Sequence, residues 1–201
     1  MGSCVAAALG IAGCTTAATQ QGDDAAHIDS PPPLTLGASE QRGPTPQQQR
    51  FIAITISGSY SCGLRTDGTA TCWGNNRWGK ADPPSGKFTA ITTGGSHTCG
   101  LRADDTATCW GSNLSRPVDP PSGKFTAITA SGLYTDFGWS HTCGLRTDGT
   151  ATCWDSNHWG QADPPSGKFT AIAAGENHTC GLRADGAITC WGDRPIIVAA
   201  D

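Results

Sequence analysis

The chain has 201 residues, of which 37% are hydrophobic and only 15% charged, with 27 glycines and 13 prolines, a composition that suggests one globular, turn-rich domain of many short strands. Its net charge of -4 is not relieved by any basic stripe, so the electrostatic footprint of a nucleic-acid binder is absent and nucleic acid is excluded as a partner. Ten cysteines in so short a chain point to an oxidising compartment.

Residues 1–14, M-G-S-C-V-A-A-A-L-G-I-A-G-C, are apolar and too short to span a bilayer. They end in Ile11, Ala12, Gly13 and Cys14, which resembles the bacterial lipobox, where the cysteine is lipidated after cleavage just before it. No Lys or Arg precedes Cys14, a departure from the basic start of a signal, and an ordinary cleaved signal peptide is the alternative. The cysteine count agrees with lipidation: Cys4 leaves with the signal, Cys14 takes lipid, and eight remain to pair; a Cys4–Cys14 bridge in an unprocessed chain is the other arrangement. The expected location is extracytoplasmic and bacterial, either as a cell-envelope lipoprotein or secreted, with the membrane touched only through the lipid.

Residues 15–50 hold no aromatic side chain and are rich in Gln, Pro, Ser, Thr and Asp, with Pro31 to Pro33 and Gln47 to Gln49 as runs. Such a segment cannot bury enough apolar surface to order itself, and it reads as a disordered tether. From Phe51 to residue 201 the chain is repetitive, with units at 51–87, 88–124, 125–168 and 169–201. Each opens with an alternating strand, F-I-A-I-T or a close variant, and the linker D-P-P-S-G-K-F-T-A-I recurs to the letter at Asp82 to Ile91, Asp119 to Ile128 and Asp163 to Ile172. A repeat this regular means one supersecondary unit that buries its apolar face only against its neighbours.

The second half of each unit is a stapled hairpin. Its cysteines lie ten positions apart: Cys62 and Cys72, Cys99 and Cys109, Cys143 and Cys153, Cys180 and Cys190. In the first copy Thr66 to Gly68 suit a three-residue loop, a type I turn followed by a left-handed residue. That loop sets Leu64 against Ala70, Gly63 against Thr71 and Cys62 against Cys72, at a Cα separation of roughly 4.5 Å in a non-hydrogen-bonded pair. A two-residue loop would set Cys62 against Trp73, so the cysteines select the register. In the second copy Asp105 stands where the glycine should be, and aspartate tolerates the left-handed conformation better than most residues. With one opening strand and one hairpin, each unit has three strands. The third repeat carries seven extra residues within Ser131 to Ser140, a loop at one rim, and Ile196 to Val198 read as a short capping strand.

The run G-x-x-H-T-C-G-L-R-x-D-G-T-A-T-C-W-G, followed by N-x-x-G-Q and a proline, resembles the regulator of chromosome condensation repeats, and its short three-stranded unit is most similar to the propeller-type β-lactamase inhibitor proteins. The resemblance covers residues 51 to 192 and implies an all-β, propeller-like array, usually of seven blades in those families. Four units should then form an incomplete, open propeller whose end blades expose apolar faces and invite self-association. Departures from the pattern are Tyr60 for the histidine, Asp155 for the glycine after Trp154, and Leu114 to Pro117 in place of the W-G-Q segment.

His97, His141 and His178 recur by repeat equivalence rather than as a metal ring, since equivalent residues of neighbouring blades lie too far apart to share a zinc; a hydrogen bond from each ring to a neighbouring backbone group is the expected role. No metal and no cofactor are expected. Trp73, Trp110, Trp154 and Trp191 should pack between blades. Trp78 and Trp159, in rim loops, and Tyr134, Phe137 and Trp139, in the insert, are the candidate binding residues. The aspartates Asp67, Asp104, Asp148 and Asp185 belong to turns, no nucleophile elbow, zinc-protease helix or phosphate loop is present, and an enzyme is not expected. The function that remains is an exported or surface-anchored module binding a protein or glycan; a structural surface protein or repeat fragment without a partner, and an inhibitor of an extracellular enzyme such as a β-lactamase, are the alternatives. Mass spectrometry of membrane-fraction protein is expected to find a diacylglyceryl cysteine at position 14, whereas an intact Met1 on cytosolic protein with free thiols would contradict both anchor and compartment.

Overall fold

A computed structural model of the chain describes residues 50–113, 116–131, 140–193 and 197–198; the signal segment with Cys14, the tether up to residue 49, and the insert aromatics Tyr134, Phe137 and Trp139 lie outside the described residues. Four antiparallel sheets follow one another along the chain. Blade 1 holds β1 (Phe51–Ser57), β2 (Tyr60–Arg65) and β3 (Ala70–Gly74), and blade 2 holds β4 (Ala90–Thr93), β5 (His97–Leu101), β6 (Ala107–Asn113) and β7 (Arg116–Pro117). Blade 3 holds β8 (Phe125–Ala130), β9 (His141–Arg146) and β10 (Ala151–Asp155), and blade 4 holds β11 (Ala171–Ala174), β12 (His178–Leu182), β13 (Ile188–Gly192) and β14 (Ile197–Val198). The fold is all-β and propeller-like; among the described residues the one helical element is a 3-10 turn at Arg77–Gly79, and no helix is long and apolar enough to cross a membrane. Blade 2 departs from three strands per unit: Arg116 and Pro117 fold back onto Asn113 and Ser112 where repeats 1 and 3 have a W-G loop. In blade 4 the short capping strand expected near the end of the chain pairs Ile197 and Val198 with Thr189 and Ile188.

The hairpins take the register that the cysteines select. Leu64 faces Ala70, Gly63 faces Thr71 and Cys62 faces Cys72, and the other copies repeat the pattern. Disulfides join Cys62 to Cys72, Cys99 to Cys109, Cys143 to Cys153 and Cys180 to Cys190, each across a Cα separation of 4.0 Å. The turn residue is left-handed in all four, with φ of 84° at Gly68, 67° at Asp105, 86° at Gly149 and 87° at Gly186. The aspartate one place earlier holds the turn: Asp67, Asp104 and Asp148 accept through Oδ1 from the backbone N–H and the hydroxyl of Thr69, Thr106 and Thr150. These bonds hold the three carboxyls below the usual carboxylate range.

The core lies between blades. In each blade the opening phenylalanine lies across its own middle strand at Gly63, Gly100, Gly144 or Gly181, where a methyl group would overlap the ring. A tryptophan from the third strand meets the same ring, with centroids 5.4 Å apart for Phe88–Trp110, 5.9 Å for Phe125–Trp154 and 5.7 Å for Phe169–Trp191. An arginine covers it, Arg102 at 4.0 Å, Arg146 at 4.9 Å and Arg183 at 4.8 Å from the centroid. Onto this face packs the hairpin of the preceding blade: Leu64, Ala70 and Cys72 against Phe88, Ile91 and Trp110, and Leu145, Ala151 and Cys153 against Phe169, Ile172 and Trp191. The identical linkers make this possible by bringing each phenylalanine N–H to the turn of the preceding hairpin, Phe88 to the Gly68 carbonyl at 2.7 Å, Phe125 to Asp105 at 2.8 Å and Phe169 to Gly149 at 2.7 Å.

The array stays open. Consecutive opening strands touch, β1 with β4, β4 with β8 and β8 with β11. At the first blade, however, Phe51 is 50% exposed and Trp73 46%, whereas Phe88, Phe125 and Phe169 are 3%, 0% and 3% exposed. At the last blade Leu182 is 39% exposed, against 1% to 5% for Leu64, Leu101 and Leu145.

Non-reducing peptide mapping is expected to recover four bridges, each within one hairpin, and a bridge joining two hairpins would contradict the register. Replacing Cys99 and Cys109 together by serine should cost about 2–3 kcal/mol in urea unfolding, because the closed loop is short.

Candidate binding surface

The segments N-N-R-W-G-K-A at 75–81 and S-N-H-W-G-Q-A at 156–162 occupy equivalent rim positions on blades 1 and 3. Both loops are built the same way. Asn76 and Asn157 accept through Oδ1 from the N–H of Ala81 and Ala162, at 2.9 and 2.8 Å. Their carbonyls accept from Gly79 and Gly160, both at φ 73°. Below each loop a long side chain is fully buried, Lys80 in one and Gln161 in the other. The Lys80 ammonium donates to Ser59 Oγ at 3.2 Å and the Gly95 carbonyl at 3.1 Å and lies 4.8 Å from the Tyr60 ring centroid; burial, with Arg77 nearby, lowers its pKa. The Gln161 carbonyl accepts from Trp191 Nε1 at 2.9 Å and Thr179 Oγ1 at 3.2 Å. Neither anchor was legible in the sequence, where Gln161 stood only as the last letter of the N-x-x-G-Q segment and Lys80 took its place in the first repeat.

The anchored loops hold two tryptophans at the rim. Trp159 is 47% exposed, and its backbone N–H donates to Gln161 Oε1 at 2.7 Å. Trp78 is half-buried, in the left-handed region at φ 69°, under the Arg77 guanidinium at 4.4 Å. The two do not form one patch, since they sit two blades apart and blade 2 has its short outer strand where the intervening loop would be.

At the inner ends of the hairpins His97 and His141 bond a hydroxyl rather than a backbone group, which corrects the expectation for these two. Each reaches forward to a threonine of the next blade, His97 Nε2 to Thr142 Oγ1 at 2.6 Å and His141 Nε2 to Thr179 Oγ1 at 2.7 Å; Tyr60 meets Thr98 Oγ1 at 2.7 Å and also donates to the His97 carbonyl. Burial holds His97 down at about 3 and His141 at about 4, so both are neutral at neutral pH. Among the described residues no three His, Cys, Asp or Glu side chains converge to hold a metal.

One exception stands in this row. Asp155 takes the place of Gly74, Gly111 and Gly192 and keeps their left-handed backbone, at φ 77°, a strained conformation for a residue with a side chain. Its buried Oδ2 has no hydrogen-bond partner and lies 3.7 Å from His97 Nε2. Burial, and then the charge of Asp119, push its carboxyl up to about 7. The grouping with Thr142 is not a catalytic triad: Thr142 and Asp155 approach the same ring nitrogen of His97, and Thr142 is fully buried.

Residues 88–115 and 169–193 match the model of the regulator of chromosome condensation (RCC1) repeat, so the array carries these repeats. No curated protein matches the sequence. Among solved structures the chain is similar to the CRINKLY WD40 ectodomain of the Arabidopsis thaliana receptor kinase ACR4, at 25% identity and TM-score 0.60 over 77% of this chain and 54% of that one. It is similar also to the ectodomain of the Physcomitrella patens receptor kinase CR4, at 27% identity and TM-score 0.60 over 75% and 43%. Saccharomyces cerevisiae Prp20p, at 15% identity and TM-score 0.60 over 78% and 52%, shares the fold alone. The chain spans about half the length of the solved structures it matches. Nothing in these comparisons supports the nearer likeness to the propeller-type β-lactamase inhibitor proteins.

Folding takes Asp155 from an ordinary carboxylate near pKa ~4 to one at about 7, so between those values the folded chain keeps a proton that the unfolded chain releases, and stability falls as pH rises. His97 and His141 act in the opposite sense, their contribution being present above pH ~6.5 and lost as pH falls toward about 3 and about 4. Asp155→Asn removes only the first effect. Its stability should match the parent near pH ~4 and exceed it progressively up to pH ~7, read from urea midpoints across that range.

Proposed function

We propose that this array of regulator of chromosome condensation repeats is an exported, non-catalytic module that binds a protein or glycan partner through its rim loops. The observation that carries the reading is Trp159, a large aromatic side chain held 47% exposed on a loop fixed from below by the buried Gln161. A rigid aromatic anchor loses little entropy on binding, and exposed tryptophans of this kind are the residues on which interface energy concentrates. Trp78, on the matching loop of blade 1, is a second and separate anchor, and Tyr134, Phe137 and Trp139 of the insert are further candidate binding residues.

Export is supported by the four disulfides, which persist only in an oxidising compartment, and by the two solved relatives, which are receptor ectodomains. Attachment at the envelope goes through Cys14, or the chain is secreted after cleavage of its signal. A non-catalytic role is supported by the site chemistry: the buried histidines are neutral and engaged with threonine hydroxyls, and the cysteines are bridged.

The test uses the oxidised chain on a glycan array and as bait in the extracytoplasmic fraction. Trp159→Ala is expected to weaken binding of whatever is captured by about tenfold or more, with the melting temperature unchanged. Trp78→Ala should act in the same direction and less strongly, because its ring is half-buried under Arg77. Retention of full affinity in the double variant would move the binding surface elsewhere.

A further inference from the structure

The two end faces of the array are the two halves of its own blade-to-blade interface. Internally, the hairpin leucine and small residue of one blade (Leu64 and Ala70, Leu145 and Ala151) cover the Phe, Ile and Trp of the next. The first blade offers the uncovered receiving half, Phe51, Ile54 and Trp73, at 50%, 56% and 46% exposure. The last blade offers the uncovered covering half, Leu182 and Ile188, at 39% and 37%.

Both faces are more apolar than their buried counterparts. Ile52 and Ile56, at 62% and 67% exposure, stand where the second blade has Thr89 and Thr93. Ile188 stands where the other hairpins have Ala70, Ala107 and Ala151, and Ala187 where they have Thr69, Thr106 and Thr150. End units whose outer faces meet water carry polar residues there, and these faces depart from that in the opposite direction. A covered face explains the departure.

The polar contacts of the interface divide at the ends. Inside the array Thr55, Thr92 and Thr129 accept from the backbone N–H of Thr93, Ala130 and Ala174; in the last blade Ala173 stands in the threonine's place and supplies no such acceptor. The imidazole-to-hydroxyl bond, by contrast, is kept. His178, exposed in the last blade, matches His97 and His141, and Ser61 of the first blade supplies the hydroxyl that Thr142 and Thr179 supply inside.

We propose that the occupant of these faces is a second copy of this chain, docked head to tail, with Leu182, Ile188 and His178 of one copy on Phe51, Ile54 and Ser61 of the other. The contact continues the interface already formed three times within each chain. Made twice about a two-fold axis, it closes eight blades into a ring, within the range of about four to eight blades that propellers use. The ring covers both open faces of both copies and leaves the rim loops free.

Sedimentation velocity and light scattering of the oxidised full chain are expected to give twice the mass of the single chain. Ile54→Asp and Ile188→Asp each place a charge in both contacts of the ring, and each variant alone should be monomeric. Both positions are exposed in the single chain, so folding should survive, as checked by circular dichroism; Ile56→Asp and Leu182→Asp are the reserves. Mixing the two variants leaves one contact with Ile54 and Ile188 both intact, and a heterodimer should reappear. A parent chain that stays monomeric at high concentration would overturn the proposal and assign the faces to another protein or to further blades. Variants that still associate, or a mixture that does not, would overturn it as well.

Discussion

Everything in this fold depends on the fact that one blade cannot cover its own aromatic face. Three or four short strands with a disulfide make a sheet that holds its shape, but its phenylalanine, isoleucine and tryptophan lie on the outside of that sheet. They become buried when the hairpin of the preceding blade lies on them, which happens at Phe88, Phe125 and Phe169 and fails at Phe51. Stability is therefore a nearest-neighbour property of the array, and the identical D-P-P-S-G-K-F linkers follow from it. Each must deliver one phenylalanine N–H to the turn carbonyl of the hairpin before.

Apolar contact alone would let two blades slide against each other, and the polar groups fix the register. Tyr60, His97 and His141 each find one hydroxyl in the next blade, while Thr55, Thr92 and Thr129 accept from backbone N–H groups of the next opening strand at 3.0–3.1 Å. Such bonds contribute little net free energy when made and cost more when broken, so they penalise wrong registers more than they stabilise the right one. Lys80 and Gln161 extend the same logic to the rim, Lys80 through its ammonium on Ser59 Oγ and the Gly95 carbonyl, Gln161 through its backbone carbonyl, which accepts from Thr179 and Trp191 of the next blade. Asp155 runs against it: a strained residue with a buried carboxyl oxygen that nothing satisfies.

Two kinds of surface result, with different physical origins. The rim tryptophans stand on anchored loops, Trp159 exposed and Trp78 half-buried under Arg77. The end faces are exposed because none of the described blades lies on them, and their composition has moved away from what water favours. A binding role for the rim and a closing role for the ends are compatible, since the surfaces share no residue.

Much of a single blade could be read from the sequence, because its contacts are local. A spacing of ten positions from cysteine to cysteine and a T-D-G turn set the hairpin register, and Asp105 could be assigned its left-handed backbone from the turn alone. Other local meanings were missed: the glycine of C-G-L-R is where the phenylalanine ring lies on the strand, and a Gly twelve residues after the opening Phe in three of the four repeats, nineteen after it in the repeat with the insert, was the available signal. What tertiary structure alone decided is how blades meet. The histidine partner is a threonine 45 residues away for His97 and 38 for His141, not a backbone group, and the meeting of Asp155 with His97 crosses from one blade to another. Periodicity states that blades recur; it does not contain the rotation and offset of one blade on the next, and those two quantities determine which side chains come within hydrogen-bond distance.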